Sequence, residues 1–227
     1  MKHRNSHLLV GYWSRIRRDR RVPDQTDIDP RAIKRMLSNV FILDARDVTF
    51  PVYRLAGTAL CERFALELKG INFLTLWEAR AKETLGLLLG QSLAGSMPIC
   101  LSAMGETAQR TMIEMETVMA PLGFRSTGPQ RFLGMTQFLG DCSQLGSWPI
   151  ALQRLMGSKM IRESDPAGMD LDPPPPPSFE SRAAKGRAPH LRLVVSRDTP
   201  PLHCELDKGM RGAIEAFGFP SETGPVR

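Results

Sequence analysis

The spacing of apolar residues changes at Gly57, and the elements on either side follow from that change. From Phe50 to Ala56 the order is that of a strand: Pro51 can only open one, and Val52, Tyr53 and Leu55 supply the β-branched, aromatic and apolar mix that suits a pleated surface. From Thr58, an N-cap residue, apolar positions fall at Leu60, Phe64, Ala65 and Leu68 with Cys61 on the same side, which is helical spacing. Lys69-Gly70 closes that helix with a cation and a glycine able to take positive φ. A strand that breaks at a glycine and runs straight into a short helix carries the chain off a sheet and across one face.

The same reading extends in both directions. Residues 6–20 form an amphipathic helix with Leu8, Leu9, Tyr12, Trp13 and Ile16 on one side and arginines round the other. Asp29-Pro30 starts a second helix through Ile33, Met36 and Leu37. Residues 38–45, with Val40 to Leu43 continuously apolar, make a buried strand that pairs as a hairpin with the Phe50 strand. One helical turn over 71–77 and a helix over 83–93 follow, then strands over 97–104, 110–121 and 131–139, with 123–129 as a hairpin loop. This order predicts an α+β fold: a five-stranded antiparallel sheet with helices on one face and an N-terminal helical extension. Beyond Asp141 the pattern weakens. It predicts a helix over 145–156, a solvated polyproline stretch at 173–177, a lone strand over 190–196 and a lone helix over 204–217, in a tail expected to be largely disordered. The domain layout expected is an extension at 1–37, a folded domain at 38–140 and a tail at 141–227.

Charge narrows the functional classes. The formal net charge is +6, and residues 1–22 alone carry seven Lys and Arg against Asp19, so the rest of the chain sums to zero. Basicity is therefore a property of one segment. Its first reading is a helix packed by its aromatic stripe against the domain or a twin, the arginines forming a solvated face. The competing reading is a nucleic-acid or membrane-surface contact through Arg15, Arg17, Arg18, Arg20 and Arg21. Cys61, Cys100, Cys142 and Cys204 lie far apart with no Cys-x-x-Cys pair, which argues against a zinc site or redox dithiol. The apolar runs at 8–13 and 85–93 are too short for a signal peptide core or a membrane span, so a reducing, cytoplasmic protein is expected. Gly-x-Ser-x-Gly, phosphate-cradling glycine loops and His-Glu-x-x-His are absent from the sequence, and the reading is of a non-enzyme.

Taken together these residues resemble a PAS domain, specifically the standalone PAS family abundant in alphaproteobacteria. The resemblance rests on Tyr12-Trp13 with its basic helix, Pro23 and Asp27-Ile28-Asp29-Pro30-Arg31, the lead from Leu37 to Asp44, the Tyr53-Arg54-Leu55-Ala56-Gly57-Thr58 junction, the Phe64 to Gly70 segment and Pro121-Leu122. It covers residues 7–140. The sequence departs from the family at Ala65-Leu66, where Gly-Arg is usual, and at Asp24 or Gln25, where an arginine is frequent.

The resemblance implies a sensory or regulatory protein acting through protein–protein contacts, with a pocket between sheet and helices for an unidentified small ligand. Tyr53, Leu55, Cys61, Phe64, Phe73 and Met115 are the pocket candidates. It also implies a homodimer formed through the N-terminal helix and outer sheet face, with Leu9, Tyr12, Trp13 and Ile16 as anchors. No cofactor is required. All four histidines, His3, His7, His190 and His203, lie outside the expected domain, which argues against haem. Gly70-Ile71-Asn72-Phe73-Leu74 faintly resembles the flavin motif of light-sensing PAS domains, but Phe73 stands where the reactive cysteine would be, which argues against a covalent flavin adduct.

Overall fold

Alternation along the strands sorts the apolar side chains into two cores, one on each face of a single sheet. The computed structural model describes residues 1–125 and 127–162, and the structural statements below concern those residues. In chain order the elements are α1 (Arg4–Arg17), β1 (Val40–Asp44), β2 (Val52–Ala56), α2 (Thr58–Phe64), α3 (Ala79–Gly95), β3 (Ile99–Thr107), β4 (Met112–Phe124), β5 (Thr127–Phe138) and β6 (Ile150–Met160). Every strand pairing is antiparallel, in the order β2-β1-β5-β4-β3-β6.

On the inner face, Phe41 and Leu43 of β1, Leu101 and Ala103 of β3, Met115 and Met119 of β4 and Phe132 of β5 pack under Leu60 and Phe64 of α2, Phe73 and Trp77 of the crossing segment, and Leu85 and Leu89 of α3. The intervening residues face the other way. Val40, Cys100, Val118, Ala120, Leu122, Leu133 and Met135 form a second core with Leu9, Val10, Tyr12 and Trp13 of α1 and with Ile33 and Met36. Each fully buried Leu or Val on either face contributes about 1.5–3 kcal/mol of transfer free energy.

The strand-to-helix junction is fixed by backbone contact. Gly57 caps α2 and its N–H donates to the Val40 carbonyl at 2.8 Å; a Cβ there would lie 2.3 Å from the carbonyl oxygens of Leu37 and Ser38. Only glycine allows the end of β2 to pass that close to the lead into β1.

Four expectations are corrected. The sheet has six strands, not five, because residues 150–160 form β6 along β3 rather than part of a helix over 145–156. Leu152, Leu155 and Met156 do have helical spacing, but the open edge of β3 supplies backbone partners from Ile99 to Thr107, and tertiary pairing overrides the local pattern. The boundary expected at residue 140 therefore falls inside the sheet. The N-terminal extension, as α1, covers the sheet face opposite α2 and α3. Residues 30–36 are successive turns, not a helix: Ile33 N–H reaches the Pro30 carbonyl and Met36 N–H that of Ile33, which keeps Ile33 and Met36 on one side with a period of three. Finally, α2 stops at Phe64, where Ala65 takes φ 47°, and Gly70 (φ 86°) makes a separate turn whose N–H bonds the Tyr53 carbonyl. The polyproline run at 173–177 and the elements expected over 190–196 and 204–217 lie outside the described residues.

Candidate functional site

Five of the six pocket candidates converge on the inner core, and one does not. Tyr53, Phe64, Phe73 and Met115 are buried there, and Cys61 packs half-buried at its margin. Leu55 points to the opposite side and is 49% exposed. The cause is a bulge in the β1–β2 ladder. Ile42 pairs with Leu55 and Leu43 with Tyr53, so Arg54 is an extra residue and every position after it changes face.

The interior is filled by side chains. Phe41, Tyr53, Phe73 and Trp77 form a continuous aromatic chain with ring centroids 5.4, 5.8 and 5.5 Å apart in the pairs Phe41–Tyr53, Tyr53–Phe73 and Phe73–Trp77. Phe41 lies flat on its register partner Gly134, where an added Cβ would come within 2.2 Å of the ring. Polar atoms in this core are few. The Thr117 and Thr136 hydroxyls bond each other at 2.9 Å, burial followed by the neighbouring Cys61 pushes the Tyr53 phenol well above its ordinary pKa, and the indole N–H of Trp77 is buried with no hydrogen-bond partner among the described residues. The asparagine of the flavin-like motif has a local job: Asn72 Oδ1 accepts from the Leu74 N–H at 2.9 Å and caps the turn that inserts Phe73.

On the outer face the aromatic stripe of α1 is spent on the chain's own sheet. Leu9, Tyr12 and Trp13 are 0–5% exposed, and Ile16 is half-buried against the same core. The Trp13 indole N–H donates to the Pro121 carbonyl at 2.7 Å, and the Tyr12 hydroxyl accepts from the Asp29 N–H at 2.8 Å, tying α1 to β4 and to the segment that follows it. The start of α1 is held by Glu116 of β4, whose carboxylate accepts from the Lys2 N–H at 2.5 Å and the His3 N–H at 3.1 Å. Burial pushes the Glu116 pKa up, but the Ser6 hydroxyl beside it and those two amides outweigh burial and hold it below the usual carboxylate value. Helix-terminal donors facing a buried carboxylate are a favourable pairing.

The five arginines of the competing reading are distributed rather than gathered. Arg15 and Arg17 lie over the Tyr12 and Trp13 rings at 5.9 and 5.3 Å. Arg20 bonds Asp27 at 2.6 Å, Arg21 donates to the Ala94 carbonyl at 3.2 Å, and Arg18 takes φ 54° at the end of α1.

A charged cluster escaped the sequence reading. Asp44, at the outward end of β1 and 5% exposed, accepts from Arg46 Nε at 2.9 Å and from Arg54 Nε and Nη2 at 3.2 and 3.0 Å, with Arg131 Nη2 at 3.6 Å. Burial would raise the Asp44 pKa; the Arg46 and Arg54 hydrogen bonds outweigh it and hold the group below its ordinary value. The available signal was an aspartate closing an otherwise apolar strand, with Arg46 two residues on. A similar cluster, Glu106 with Arg110 and Arg154, ties β3 to β6. A surface groove of about 320 Å³ opens beside Asp44, and a wider one of about 640 Å³ runs along α3 past Gly86, Leu87 and Gly90. None of the six pocket candidates lines either groove.

The antiparallel sheet thus carries α2, α3 and an inserted aromatic core on one face and α1 on the other. The chain belongs to the PAS-domain family: a family model described as PAS domain matches residues 1–137. That match ends before β6. Similar solved structures include the LOV protein of Rhodobacter sphaeroides, at 14% identity and TM-score 0.38 over 52% of this chain and 72% of that one. The light-state structure of the blue-light photoreceptor Aureochrome1 LOV aligns at 12% identity and TM-score 0.37 over 50% and 91%. No curated protein matches the chain. Among the described residues no helix is long and apolar enough to cross a membrane, and none of their His, Cys, Asp and Glu side chains gather in a group of three suited to a metal.

Proposed function

We propose that this chain is a non-enzymatic, cytoplasmic PAS regulatory protein that passes a change in its inner core to a partner protein through the α1 layer on the opposite face. The observation that carries the reading is the shared sheet. Adjacent residues of β4 and β5, such as Val118 and Met119 or Leu133 and Phe132, belong to the outer and inner cores alternately, so neither core can be repacked without moving the backbone that supports the other. A small acceptor-bearing ligand in the inner core is part of the proposal, supported by the Trp77 N–H, a buried donor left unsatisfied among the aromatic rings. A homodimer built on the α1 stripe requires exchange of α1 between chains, since Leu9, Tyr12 and Trp13 are already covered within one.

Two measurements test this. Native mass spectrometry of the purified full chain, with an absorption spectrum of the same sample, is expected to show added mass or a visible band that disappears in Trp77→Phe; a clean apo mass in the wild type removes ligand gating. Covalent crosslinking in cells, comparing wild type with Trp13→Ala, is expected to give a partner whose yield changes when α1 is loosened. Identical crosslinked species in both would remove α1 as the output surface.

A further inference from the structure

We propose that the groove beside Asp44 binds an oxyanion, the phosphate or carboxylate group of a small molecule, between the guanidinium groups of Arg46 and Arg54. The groove is lined by Asp44, Arg46, Asp47, Phe50, Val52 and Arg54 and holds about 320 Å³, at the lower end of ligand-pocket sizes. This site lies on the outward side of the β1–β2 edge, and its lining shares no residue with the inner-core candidates.

A guanidinium carries five N–H donors. Asp44 takes one nitrogen of Arg46 and two of Arg54, and among the described residues neither arginine makes a further side-chain hydrogen bond, while their side chains remain 64% and 50% exposed. Asp44 fixes both arginines from below through a buried carboxylate, so they are positioned before any ligand arrives, which lowers the ordering cost of binding. Arg131 stands behind them at 3.6 Å from the same carboxylate, 14% exposed and further held by Gln25 and the Phe124 ring. Three arginines thus converge on one buried acid. Asp47 on the rim offsets part of the surplus, and its carboxylate is committed to the Thr49 N–H and hydroxyl at 2.8 and 2.6 Å. Phe50, 57% exposed, adds an apolar wall against which the body of an organic anion can lie. Two guanidinium groups that line one groove, each with N–H donors left over from Asp44, suit a bidentate oxyanion better than a halide.

The test uses the full chain labelled with ¹⁵N, titrated at constant ionic strength with inorganic phosphate, with succinate, and with potassium chloride as the control, following the arginine Nε–Hε signals. Saturable shifts of the Arg46 and Arg54 signals are expected with phosphate or succinate and not with chloride. The stronger of the two arms identifies the anion class. Arg46→Gln, at an exposed position that does not carry the fold, is expected to weaken binding about tenfold. Asp47→Asn keeps the oxygen that caps Thr49 and removes the rim charge, so it is expected to tighten binding severalfold. Shifts that stay linear, that chloride reproduces, or that Arg46→Gln and Asp47→Asn leave unchanged would overturn the proposal.

Discussion

Truncating Trp13 to alanine is expected to release α1 from the sheet before the rest of the domain unfolds. The indole is 3% exposed among Leu122, Leu133 and the other outer-core residues, and such truncations cost about 3–5 kcal/mol through lost transfer energy and the cavity left behind. The hydrogen bond to Pro121 contributes about 1 kcal/mol of this, and the Arg17 guanidinium at 5.3 Å about 0.5–1 kcal/mol. Trp13→Phe separates these parts, since it keeps most of the apolar area and loses the N–H; its expected cost is about 1–2 kcal/mol. The remaining anchors of α1 are Leu9, Val10, Tyr12 and the Glu116 carboxylate, which together hold one end of the helix better than the other. Hydrogen exchange read by mass spectrometry is therefore expected to accelerate in peptides covering residues 9–17 of Trp13→Ala far more than in β4 and β5, with urea melts giving the global loss. If exchange rises equally in α1 and in the central strands, α1 is not a separable layer and the proposed output route has no mechanical basis. A cost below about 1 kcal/mol would mean that the indole is not what holds the helix.

Three further outcomes follow from the same geometry. Gly134→Ala drives a methyl into the Phe41 ring and is expected to cost about 1–3 kcal/mol in a urea melt, while in a Phe41→Leu background the same change costs little; additive losses would show that the two do not share space. Because the folded pKa of Glu116 is depressed, its contribution is present above the unfolded value near 4.5 and is lost as pH falls through the folded one, so the urea midpoint of Glu116→Gln should fall less than that of wild type between pH 6 and pH 3. A parallel fall would remove Glu116 from the acid response. Cys100, its thiol pushed up to about 12 by burial and then by Glu116, is expected to resist a thiol reagent at pH 8 in the folded protein and to react in urea, as peptide mass spectrometry would show; rapid modification without denaturant contradicts the packing of α1 over it.

Local pattern was enough for the elements whose partners are near in sequence. The β1–β2 hairpin, the turn at Gly57 and the three long strands are each marked by alternation or by a residue with a conformational requirement, and these assemble the inner core. Three features depended on distant partners and were not legible. β6 carries leucines and a methionine at helical spacing, and only the free edge of β3, some fifty residues earlier, makes it a strand. The bulge at Arg54 is a one-residue slip that no composition records, yet it decides that Tyr53 faces the core, that Leu55 faces outward and that Arg54 meets Asp44. The stripe on α1 was visible as a stripe; what it covers depends on the length and path of residues 18–39, which here lay it on the chain's own sheet with Tyr12 bonded to Asp29 on the way.

The same bulge joins the two proposed sites. Tyr53 sits in the aromatic chain of the inner core, 5.4 Å from Phe41, and the next residue, Arg54, holds the outward carboxylate of Asp44. The backbone of Tyr53 has little freedom, because its carbonyl accepts from the Gly70 N–H and its own N–H donates to the Ile71 carbonyl. Any rotation of the Tyr53 ring to admit a ligand therefore has to be absorbed by the Arg54 side of the bulge, the irregular point of that ladder, rather than by the regular strands. By linkage, an anion held by Arg46 and Arg54 that stiffens the bulge alters the free energy of opening the inner core, and occupancy of that core alters anion affinity by the same factor. Phosphate titrations of wild type and Tyr53→Phe provide the comparison: equal affinities would show that the two faces of β2 are not coupled at this position, and unequal ones would make the bulge the connecting element.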